Sequence, residues 1–441
     1  MPKESVPGDL LPQDASAVIG GRLGRRVAGR QRSPRHLVPM IVAMVLVPMA
    51  AAVLRQGHCV ANGWNGDEQF WRGCFSDLPA QYQLAGLDAG LAGWFTSGQE
   101  PTQMPLLSGL MALLGGFVPA DSGWLEATRW YFVMWTVLIT LCVVVGVWCV
   151  ARTRPQRLDL ATQLALSPVY VVAALLSADP VVVVLVLAAV LAHSLRRPTT
   201  AGVLLGLALT GHAWVGIVLL ALLISSRRLG CREAAVRTVA IALGTAAGVG
   251  IVLLVLAPEV VTGPLISWWD ESAGYGSVLR IPGLVGHALP GRTVQVVALL
   301  GWLGAAAGAV VMARRAWRPA TWAQVAAFAV PVVALTGTAV PVQAALWVLP
   351  LAILAGVSWR THLGFVAVEA VHATALWVYI GGMSDPDVGL PAQWYAVVVL
   401  GRAIAWGFLL WSVWYTPVDN PVARPQAPFA PASRPQEPAR S

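Results

Sequence analysis

The feature that most constrains this chain is a succession of apolar runs, most of them close to the ~20 residues that a helix needs to cross a bilayer. They lie at Leu37 to Leu54 and at 104–118, 127–151, 160–178, 180–195, 200–225, 236–257, 293–313, 321–339, 341–357, 361–381 and 394–414. Soluble domains carry roughly a quarter charged residues. Here 11% are charged and 57% hydrophobic, which excludes a water-soluble globular fold. The fold class expected is an all-α polytopic membrane protein. The excess of 29 Lys and Arg over 21 Asp and Glu, a net +8, is read as membrane orientation and not as a nucleic-acid surface.

Arginine placement sets that orientation. Basic clusters occur before the first run, at Arg152/Arg154/Arg157, Arg196/Arg197, Arg227/Arg228/Arg232 and Arg314/Arg315/Arg318. Connections at 55–103, 119–126, around Asp179, at 258–292 and at 383–392 are acidic or neutral. Placing every basic cluster in the cytoplasm makes 104–118 a short re-entrant or interfacial helix. It also breaks 200–225 near Gly211-His212 into a segment of no net crossing or two short ones. Ten full spans and a short pair follow, with both termini cytoplasmic at a plasma membrane. Residues 1–36 form a basic tail, 37–415 the membrane-embedded unit and 416–441 a Pro-rich disordered tail. The two long extracytoplasmic loops, 55–103 and 258–292, hold most of the polar chemistry.

The first loop carries Asp67, Glu68, Asp77, Asp88 and Glu100, interleaved with Trp64, Phe70, Trp71 and Tyr82. A carboxylate at the membrane surface can deprotonate a hydroxyl, with aromatics as a sugar or lipid platform. The alternative is a solvated loop whose aromatics sit in the interfacial belt.

The segment Cys74-Phe75-Ser76-Asp77-Leu78-Pro79-Ala80-Gln81-Tyr82, then Gly86-Leu87 and Met104-Pro105, resembles the first-loop signature of glycosyltransferase family 87. That family comprises actinobacterial mannosyltransferases of the C-type glycosyltransferase fold that use polyprenyl-phosphate mannose. Trp268-Trp269 followed by Gly276-Ser277, and Pro341-Val342-Gln343 through Trp347 and Pro350, are similar to later motifs of the family, with Glu369 following. The resemblance implies a C-type bundle of about 10–12 transmembrane helices and Asp77 as catalytic base. It implies a polyprenyl-phosphate sugar donor in the bilayer, a hexose (mannose, by the resemblance), and a glycolipid or cell-envelope glycan acceptor. One departure is Gln103-Met104-Pro105, where an acidic-aromatic pair is expected before the proline.

The remaining candidates for substrate contact are Asp67, Glu68, Tyr82, Trp269, Arg280, Gln343, Trp347, Glu369 and His372. Arg280 or Arg292 can pair with a lipid phosphate, or anchor at the interface. Glu369 and His372 share a helix face; they either line the donor pocket or form a structural group with Arg402. His212 reads as a satisfied polar residue. Cys59 and Cys74, in one external loop, are expected to pair as a disulfide that anchors Asp77. No metal-ligand set, P-loop or Gly-x-Ser-x-Gly element is present, and no cofactor is expected. A transporter or lipid flippase, and a family member that has lost catalysis, remain the alternatives.

Overall fold

The computed structural model describes residues 37–96, 101–315 and 320–416. The two tails, most of each, and Glu100 and Arg318 lie outside them. Among the described residues the fold is helical and carries no strand. In chain order the helices are α1 (Val38–Arg55), α2 (Gly57–Asn62), α3 (Glu68–Trp71), α4 (Asp77–Leu84), α5 (Gly90–Thr96), α6 (Pro105–Gly115) and α7 (Trp124–Thr153). Then come α8 (Leu158–Ala165), α9 (Val169–Ala173), α10 (Asp179–Ser194), α11 (Pro198–Leu209), α12 (Val215–Leu229) and α13 (Arg232–Leu256). The last are α14 (Pro258–Asp270), α15 (Ile281–Leu284), α16 (Gly291–Arg315), α17 (Trp322–Leu335), α18 (Ala344–Ala355), α19 (Trp359–Gly381) and α20 (Ala392–Tyr415).

Six of these, α1, α7, α13, α16, α19 and α20, are long and apolar enough to cross a membrane. They mark the chain as a polytopic membrane protein. Their apolar windows are buried by only 17–44%, and the rest of that surface must face something other than water. Helix α13 is the extreme, with Leu243, Ile251, Val252, Leu254, Val255 and Leu256 all exposed. The runs at 160–178, 180–195, 321–339 and 341–357 differ from the expected full spans: they fold into shorter helices. The reason is their company. Every residue of α18 is buried, as is most of α17, despite internal prolines at Pro350 and Pro331. A helix wrapped in protein can stop short or bend, because neighbours satisfy its freed backbone groups.

Among the described residues, the basic stretches around Arg228 and Arg314 meet. Arg228 donates to the carbonyls of Ala313 and Arg314, and Gln163 to that of Val357. In the second long loop, Gly274 N–H donates to Thr338 O and Gln295 to the carbonyls of Trp269 and Glu271. The 200–225 run is broken at Thr210–Trp214, between α11 and α12. Gly211 in this turn packs closely on its neighbours: a Cβ there would press on the side-chain ends of Val182 and Leu106.

Candidate functional site

A disulfide joins Cys59 on α2 to Cys74, both fully buried, with their Cα atoms 5.9 Å apart. Two residues on, the chain is clamped again. Ser76 caps α4 by accepting from Leu78 N–H, while its Oγ donates to Leu175 O at 2.7 Å. Asp77 N–H donates to Leu176 O at 2.8 Å. Asp77 thus opens α4, where the helix dipole favours a carboxylate. It keeps a partly exposed edge in a crowded crevice. Burial, reinforced by the negative charge of Asp179, pushes its carboxyl up to about 7, against a hydrogen bond from Gln343 that pulls it down.

Asp179 begins α10 only three residues after Leu176 and is 6% exposed. Its Oδ2 accepts from Trp347 Nε1 at 2.9 Å. Gln343 caps α18 and Trp347 lies one turn further along the same face. One turn of α18 therefore serves both carboxylates. The His212 ring sits 4.3 Å from that of Trp347, and Trp214 lies nearly parallel to Trp347 at 6.3 Å.

The approach to α18 is held from the opposite side. Arg402, on α20, donates through Nε and Nη2 to Glu369 at 2.9 Å, and through its Nη groups to the carbonyls of Val340 and Pro341. Trp406 Nε1 also donates to Glu369. Val340 N–H donates to Tyr275 O, and Tyr395 Oη accepts from Gly276 N–H. Gly276 has φ +73°, and a Cβ there would collide with the Val340 carbonyl, so the second loop can press here only with glycine.

One turn beyond Asp77 on α4, Gln81 lines a cavity of about 280 Å³ with Leu84, Trp94, Gln103, Ser108 and Met111. None of its lining residues is charged. It runs past Gln103, the position where the acidic-aromatic pair of the resemblance is replaced.

The other expected site residues lie elsewhere. Asp67 and Glu68 are exposed, and Glu68 pairs with Arg72 at 3.4 Å. Tyr82 is buried against Tyr131, ring centres 4.7 Å apart. Trp269 is exposed, and Arg280 lies over the Tyr275 ring and donates to Ala273 O. Glu369 is taken by Arg402, which favours the structural reading of that pair. His372 is fully buried beside it with neither ring nitrogen partnered. Sequence reasoning passed over Asp179 and Trp214. Their one signal was an Asp-Pro at the head of an apolar run and a tryptophan beside the predicted helix break. Among the described residues no group of three or more His, Cys, Asp or Glu could hold a metal. No family model, curated protein or solved structure matches this chain at a significant level.

Proposed function

We propose that this chain is an integral membrane glycosyltransferase that moves a hexose, mannose by the resemblance, from a polyprenyl-phosphate donor to a glycolipid or cell-envelope glycan on the extracytoplasmic side. The observation that carries it is Asp77, a carboxyl poised near neutrality in a crevice, facing a glutamine and a second buried carboxylate, with an uncharged cavity one helical turn away. A general base works best with a pKa near the operating pH. In the proposed step the ionised Asp77 takes the proton of an acceptor hydroxyl. The acceptor oxygen then bonds to the anomeric carbon, and the anomeric C–O bond breaks with its electrons leaving on the polyprenyl phosphate.

On this reading the short helices complete a C-type bundle of about 10–12 crossing segments, with the basic clusters and both termini in the cytoplasm of a plasma-membrane protein. Transfer of radiolabel from polyprenyl-phosphomannose to lipid acceptors, in vesicles with and without the protein, tests it. Label that never leaves the donor refutes it. One feature favours a second reading, a transporter: the helix break between α11 and α12 inside the bundle. Movement of labelled lipid across the vesicle bilayer with no new glycosidic product would select that reading.

A further inference from the structure

The turn between α11 and α12 interrupts the helical backbone at residues buried in protein, Thr210 and Trp214 among them, the setting in which a membrane protein tolerates irregular backbone. It brings polar atoms that the protein itself does not satisfy. Trp214 is 2% exposed, and its buried Nε1 has no hydrogen-bond partner. The same holds for the buried Nδ1 of His212. Orphaned buried polar atoms are rare because each forfeits its hydration. These two belong to rings set 6.2 Å apart, both facing Trp347, whose own Nε1 is committed to Asp179. Aromatic planes, an indole N–H, an imidazole nitrogen and a carboxylate form the donor and acceptor set that a ring of hydroxyls on an apolar carbon frame requires.

We infer that Trp214, His212, Trp347 and Asp179 form a hexopyranose subsite beside Asp77, in which Trp214 Nε1 and His212 Nδ1 meet sugar hydroxyls and Asp179 accepts from one. This rests on the glycosyltransferase reading, and it adds Trp214 and His212 to the residues on which that reading draws. The hexose can be the donor's or the acceptor's.

The test is equilibrium binding to the full chain in lipid nanodiscs, with three probes: polyprenyl phosphate, polyprenyl-phosphomannose and octyl α-mannoside. Trp214→Phe removes the N–H and keeps an aromatic ring. It is expected to weaken one mannose-bearing probe about five- to tenfold, the worth of one hydrogen bond, with polyprenyl phosphate unchanged. His212→Gln, which keeps a donor and an acceptor, should weaken the same probe less. Selective loss on polyprenyl-phosphomannose assigns the subsite to the donor sugar; selective loss on octyl mannoside assigns it to the acceptor. Unchanged binding of both, or an equal loss on polyprenyl phosphate, overturns the subsite and leaves the glycosyltransferase reading standing. A wild-type chain that binds none of the three overturns both.

Discussion

Replacing Arg402 tests whether the backbone that carries Gln343 is held by a buried charge pair. Arg402 and Glu369 are each 1% exposed, so neither charge can turn to water. Removing one partner of such a pair costs about 3–5 kcal/mol, most of it from the stranded charge. Arg402→Met strands Glu369 and also orphans the carbonyls of Val340 and Pro341, each costing about 1–3 kcal/mol if nothing replaces the guanidinium. Glu369→Leu strands the arginine but leaves both carbonyls served. In the double variant no charge is stranded; the carbonyl cost of about 2–6 kcal/mol persists, and the Trp406 N–H, left without its acceptor in both Glu369 variants, cancels from the cycle. The coupling in the cycle should therefore be the sum of the two stranding costs, about 6–10 kcal/mol, well beyond the ~0.5 kcal/mol scatter of independent sites. Unfolding by SDS titration from mixed micelles, followed by helicity, measures all four corners. Losses that simply add would refute the strut and detach Gln343 from it.

Asp77→Asn should preserve insertion and reduce sugar transfer by several orders of magnitude, while Asp67→Asn and Glu68→Gln are milder; normal turnover by the Asp77 variant sinks the mechanism. Because the Asp77 carboxyl sits near 7 and a base must be ionised, wild-type transfer should rise with pH through about 7; Asp179→Asn removes the neighbouring charge and should move that limb to lower pH. The stability sign is opposite: the native state keeps a proton that the unfolded chain releases near ~4, so this carboxyl makes the fold lose stability as pH rises from there towards 7. Mass spectrometry of unreduced, alkylated protein should find Cys59 and Cys74 in one cross-linked species, and reduction should cost ~3 kcal/mol for a loop of this length; alkylation of both before reduction contradicts this. Cysteines placed at Asn65 or Ser272 should react with impermeant thiol reagents in intact cells and one at Arg154 should not; the reverse pattern would invert the proposed orientation.

The long helices were legible because a run of twenty apolar residues has few soluble explanations, and the ends of α7, α13, α19 and α20 fall within a few residues of the runs. The shorter helices were not. Hydropathy records how apolar a residue is, not whether lipid or protein surrounds it, so the wholly buried α18 reads like a span. Asp77, Gln343 and Trp347 were singled out from the chain, and they meet. Asp179 was invisible as a site residue, since a lone aspartate before a valine run carries no period or spacing. Glu369 was open to two readings, and the fold brings Arg402, 33 residues later, within 2.9 Å of it. Only three-dimensional proximity could reveal that contact.

The clamp on Ser76 and Asp77 has a mechanical consequence. The Ser76 hydroxyl and the Asp77 N–H donate to the carbonyls of Leu175 and Leu176, and the second carboxylate follows at Asp179. The spacing of the two acids is thus set by two hydrogen bonds and the three-residue step from Leu176 to Asp179, not by how far apart two membrane helices lie. Bilayers that differ in thickness tilt and shear their helices against one another. Two short hydrogen bonds and a three-residue step of backbone do not lengthen when the helices move, so the pair of acids stays in register while the surrounding bundle adapts to its lipid.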